Sequence, residues 1–148
     1  MTAIAIALAV AAGFAGAIQA AVMGELGERA GIFPALAFSG IVAVVLGIAL
    51  LLIARQSLRG IGDVVGQPLW LWTGGALSVL IIIAITVASP RIGLAATIGT
   101  IIAFNLGMAA LIDRFGWFGF DRIAIGWTRL LGLILLGAGA ALSLHKSV

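Results

Sequence analysis

Apolar residues along this chain gather into five long stretches separated by short polar segments, near positions 2–23, 33–54, 69–89, 91–112 and 127–144. Each reaches the roughly 20 residues that an α-helix needs to cross about 30 Å of hydrocarbon. The pattern predicts an all-α membrane protein with five transmembrane helices. It forms a single integral membrane domain over residues 1–148, with almost no mass outside the lipid. No Lys or Arg precedes the first stretch, so it lacks the basic leader of a cleaved signal peptide and is expected to stay as a helix.

Three prolines punctuate the pattern. Pro34, Pro68 and Pro90 stand where the second, third and fourth spans are expected to begin. Proline suits a first helical turn, where its missing N–H would have had no partner. On this placement no proline interrupts a span. The longest connections are Arg55 to Gln67 and Asp113 to Gly126, while Ser89-Pro90-Arg91 is all that joins the third span to the fourth.

Composition agrees with the pattern. Of 148 residues, 64% are hydrophobic and 9% charged, and the mean hydropathy is +1.32. A soluble domain carries about 25% charged residues, and a chain this short has too little interior to hide so much apolar surface from water. Membrane lipid is therefore the expected surrounding. The net charge of +3 comes from basic residues scattered singly, which suits anionic headgroups and argues against a nucleic-acid partner. With no cysteine, disulfides, thiolate metal sites and Cys nucleophiles are excluded.

Charge also bears on orientation. Five spans place the two ends of the helical array on opposite faces. Arg55, Arg59, Arg114, Arg122 and Arg129 then share the face of the N-terminus, and Arg29, Arg91 and Lys146 the other. Five against three is a weak bias under the positive-inside rule, small enough to permit insertion in both directions. Trp70 and Trp72 fall on the same face as Phe115, Trp117, Phe118, Phe120 and Trp127. Amphipathic rings collect at headgroup level, so an interfacial belt is the first reading and substrate stacking the second.

In lipid, apolar burial does not drive helices together, and small residues with polar contacts must do so. Gly13 and Gly16 in the first span, Gly74 and Gly75 in the third, and Gly99 and Gly107 in the fourth are the candidate packing positions. Polar side chains inside the spans are few. Asn105 near the middle of the fourth span and Gln19 late in the first are either helix-to-helix hydrogen bonders or lining of a substrate path. Thr97 and Thr100 either bond back to their own helix or share that path. Arg91, Asp113, Arg114 and Trp72 lie at the span ends, at path mouths or fixing loops.

What is missing narrows the class. No Asp, Glu, Lys, Arg or His falls at mid-membrane depth, where proton relays and cation sites carry them. The single His145 has no Ser/His/Asp, carboxylate-pair or metal-ligand company, so no catalytic residue, metal or cofactor is expected. A ring of pore-lining charges is also absent, which disfavours a channel.

Four blocks carry a resemblance: Leu69-Trp70-Leu71-Trp72-Thr73-Gly74-Gly75, Pro90-Arg91-Ile92-Gly93, Leu111-Ile112-Asp113-Arg114-Phe115-Gly116 and Arg129-Leu130-Leu131-Gly132. In order and spacing they resemble the YdcZ-like branch of the drug/metabolite transporter superfamily, and with Gln19 they cover nearly the whole chain. Two positions depart from that pattern: Met23 stands where relatives tend to carry Asn, and Phe104-Asn105 where they tend to carry Gly-Gln. The resemblance implies a five-helix half of an inverted-repeat, ten-helix assembly. That assembly would be completed by an antiparallel copy or a paralogous five-helix partner. It implies a multi-pass inner-membrane transporter of a small molecule, metabolite or amphiphile, working by alternating access. A non-transporting membrane subunit or scaffold and a lipid transporter are the alternatives.

Overall fold

The computed structural model describes residues 2–55 and 58–145, apart from the side chains of Arg55 and Arg59. Lys146 lies outside the described residues, as do those two side chains, so their share in the charge bias is a matter of sequence. Among the described residues the structure is helical, with no strand. The helices are α1 (Thr2–Ala30), α2 (Ile32–Arg55), α3 (Arg59–Val65), α4 (Thr73–Ile92), α5 (Leu94–Phe115) and α6 (Trp127–Leu144), with 3₁₀ turns at Leu69–Trp72 and Trp117–Gly119. Among the described residues five segments are long and apolar enough to cross a membrane: α1, Ile32–Ala54, Leu69–Ile92, α5 and α6.

Among the boundaries that differ from the sequence pattern, three have a clear local reason. The first helix runs on to Ala30 instead of stopping at 23. Nothing breaks it before Gly31, and Glu25 and Arg29, one turn apart, pair at 2.6 Å on its surface. At about 43 Å it is longer than the hydrocarbon is thick, so its charged last turns reach beyond it. The third span ends at Ile92, placing Pro90 inside its last turn. A span does therefore contain a proline, Arg91 belongs to the end of the third span, and the fourth begins at Leu94 instead of 91.

The reason lies in Gly93, with φ 86° and ψ 151°. That region of backbone space is open only to glycine, so the chain turns there. Proline so near a helix end removes one hydrogen bond and fits the helical φ. The joint between α1 and α2 is built the same way. Gly31 has φ 90°, its N–H donates to the Gly27 carbonyl at 3.0 Å, and its carbonyl accepts from Ala35 at 3.1 Å. At the second joint Gly93 donates to Ser89 at 3.1 Å and accepts from Thr97 at 3.0 Å.

The chain divides into two compact units. The first comprises residues 1–21 and 88–148, and its centre is the antiparallel pair of α5 and α6. Small residues set the seam: Ala96, Ala110 and Ala140 are buried, and a methyl placed on Gly99 would lie 3.9 Å from the Cα of Ala140. The second unit comprises residues 22–87. There the end of α1 meets the end of α4 so closely that a Cβ on Gly27 would collide with the Thr86 Cγ2. Met23 and Ala35 are buried in this unit.

Candidate functional site

The first unit carries the features that can hold a ligand. An open groove of about 740 Å³ follows the α5–α6 pair, lined by Thr100, Phe104, Gly107, Met108, Leu133 and Gly137 among others. Thr100 is the one residue with a polar side chain in that lining. Its Oγ1 is buried and has no hydrogen-bond partner. A hydroxyl left unpaired in an apolar setting costs roughly 1–3 kcal/mol. It is thus the atom of this groove most in want of a donor or acceptor. A smaller hollow of about 390 Å³ is lined by Ala95, Gly99, Gly132, Gly139 and Ser143 with their aliphatic neighbours.

Close to Leu111 and Leu133 of the groove lining, the ends of α5 and α6 are tied together. Asp113, in the last turn of α5, forms an ion pair with Arg129 in the first turn of α6. The Asp113 carbonyl also accepts from the Ile123 N–H at 2.8 Å. Gly116 ends α5 with φ 68° and donates to Ile112, and the Arg122 side chain crosses over it so closely that a Cβ there would lie 2.7 Å from Cγ. The rings of Phe115 and Trp117 stack with centroids 5.2 Å apart. The segment Phe115 to Trp127 thus folds back on the helix ends while exposing its aromatic surface.

The other sequence candidates fall in several places. Thr97 is buried and its hydroxyl donates to the Gly93 carbonyl at 2.9 Å, so it reinforces the joint. Asn105 and Gln19 are exposed, and neither lines the hollows of the α5–α6 pair. Arg91 and Arg114 are exposed without an ionic partner among the described residues. Trp72 is exposed in the 3₁₀ turn that leads into α4. A Cβ on Gly13, Gly16, Gly74, Gly75 or Gly107 would meet nothing within 4 Å, whereas Gly99 sits at the α5–α6 seam.

Two roles escaped the sequence reading. Arg129 is the partner of Asp113, and its signal was a lone charge opening an otherwise apolar span. Gly27 had none, because its importance depends on Thr86, far away in sequence. Among the described residues no cluster of His, Cys, Asp or Glu could hold a metal ion.

Comparison with known families decides the broader question. Over residues 4–142 the chain matches the family model described as "Putative inner membrane exporter, YdcZ". The chain belongs to the YdcZ family. No curated protein and no solved structure matches it. Membership in the YdcZ family, with five helices able to span a bilayer, makes this a multi-pass inner-membrane protein. The family description also favours a transporter over an enzyme.

Proposed function

We propose that this YdcZ-family chain exports a small amphiphile by alternating access, as an antiparallel dimer of two copies. The observation that carries the reading is the groove between α5 and α6: open, apolar, and holding one buried hydroxyl oxygen without a partner. Such a surface suits a molecule with a hydrocarbon body and one hydrogen-bonding group. The absence of charge from the groove lining disfavours a compact ion as cargo, since desolvating it would find no compensation.

The five spans and the weak charge bias support the antiparallel dimer by permitting insertion in both directions. Rocking of one subunit against the other would then open the path alternately to each side. Gln19 and Asn105, exposed on a single chain, would be covered or would line the path once a partner is present. Arg91 and Arg114 would stand at its mouths.

Flux into proteoliposomes tests the reading. A panel of organic amphiphiles should include at least one that the protein moves, and Thr100→Val should weaken its apparent affinity by up to roughly tenfold. No flux across the panel, with co-purification of a larger membrane protein, would establish a non-transporting subunit instead. Lipid transport is favoured by the same apolar lining. It would show as one phospholipid class retained on the detergent-extracted protein and displaced by the Thr100→Val substitution.

A further inference from the structure

Asn105 poses a problem that a single chain does not solve. It lies at the midpoint of α5, which runs from Leu94 to Phe115. It is therefore at the depth where water is scarcest. Its side chain is exposed on the chain's surface, and no hydrogen bond to it exists among the described residues. The amide carries two N–H donors and a carbonyl acceptor, and hydrocarbon satisfies none of them. Unlike a threonine hydroxyl, which returns to its own helix as Thr97 does, the amide has found no backbone carbonyl.

We infer that Asn105 hydrogen-bonds to Asn105 of a second, antiparallel copy of this chain, on the two-fold axis of the dimer. An amide is self-complementary: each copy donates an N–H and accepts one at its carbonyl. Position along the helix makes the argument specific. A two-fold axis lying in the membrane plane runs at mid-depth, so only a residue at the middle of a span can meet its own copy there. Asn105 satisfies that condition. Gln19 lies nearer one end of the hydrocarbon and could meet its own copy only in a parallel dimer.

This inference rests on the antiparallel reading and adds to it a contact residue and a helix. α5 would then serve two partners. One side packs on α6 at Gly99, beside the Cα of Ala140, and the Asn105 side packs on the partner's α5. Polar side chains bonding across helices are a recognised means of association in lipid, where apolar burial supplies no drive.

The chain has no cysteine, so introduced thiols report unambiguously. Asn105→Cys in native membranes should form a disulfide-linked dimer on mild oxidation, because that bond requires Cα atoms within about 7 Å. Ile98 and Ile112 stand seven residues to either side on the same helix face. When Ile98→Cys and Ile112→Cys chains carrying different tags are co-expressed, the antiparallel dimer should yield the mixed product. Dimers in which each of these two variants links only to another copy of itself would instead show a parallel pair and overturn the antiparallel reading. Failure of Asn105→Cys to cross-link would overturn the Asn105 contact while leaving dual insertion to be judged separately by labelling. As a check independent of thiol chemistry, Asn105→Leu should weaken dimerisation roughly three- to thirty-fold, and Asn105→Gln should restore much of it. Loss of flux in Asn105→Leu with dimerisation unchanged would assign the amide to the substrate and reject the inference.

Discussion

Helices α2 and α5 cross the same membrane but are made differently. The stretch Ile32–Ala54 is the most apolar of the five spans and nearly all of its side chains stay on the surface. α5 is less apolar, and a larger share of its most apolar stretch is buried than in the other four spans; its buried positions are Ala96, Thr97 and Ala110. In water the order would be reversed, with the greasiest helix at the core. In lipid, large aliphatic side chains gain nothing by leaving the solvent, and contact goes to residues small enough for backbones to approach. Hydropathy therefore marks the lipid-facing surface of this protein, and alanine, glycine and threonine mark its seams.

That comparison can be broken at the seams. Gly27→Val should be the most damaging change, because Thr86 occupies the space and is itself buried. Overpacking of this kind costs about 3 kcal/mol, measurable as a lower midpoint in unfolding by a denaturing detergent. Thr86→Ser, which removes the colliding methyl and keeps the hydroxyl, should recover part of the loss in the double variant. If Gly27→Val is as stable as the parent, the α1–α4 crossing is not a seam.

Gly116→Ala comes next, at about 2 kcal/mol, since its φ of 68° disfavours any side chain and Arg122 crowds the site. The same unfolding assay reads it. Arg129→Ala should lose about 1 kcal/mol, as both partners of the Asp113 pair keep some contact with solvent. Exchanging the two residues, Asp113→Arg with Arg129→Asp, should restore part of it. A smaller effect still is expected at Gly47, in α2, where a Cβ would meet nothing. Gly47→Leu should change stability by less than about 0.5 kcal/mol. A larger loss there would mean that α2 is a contact face in the assembled protein, and would sharpen the contrast by moving its boundary.

How much was legible beforehand follows from the same physics. The five spans could be read directly, because length and apolarity are local properties. Their ends were displaced where backbone geometry outranked composition: Gly93, by taking a conformation closed to other residues, moved the third boundary past Pro90. Asp113 was singled out by its position at a span end, yet its partner Arg129 was not, since pairing across a loop is a matter of folded distance. Thr100 was one of several hydroxyls in sequence, and only burial without a partner separates it from Thr97, whose bond to Gly93 is made. The tight contact at Gly27 required knowing which helix lies beside it.

The central claim is that five helices form an incomplete unit, finished by an inverted copy. Gly60, exposed on the short α3 between the second and third spans, offers the most direct test in this cysteine-free chain. A Gly60→Cys variant treated with a membrane-impermeant thiol reagent should be labelled in part from outside intact cells, with the remainder labelled only after permeabilisation. Labelling confined to one side in all molecules would contradict the antiparallel homodimer.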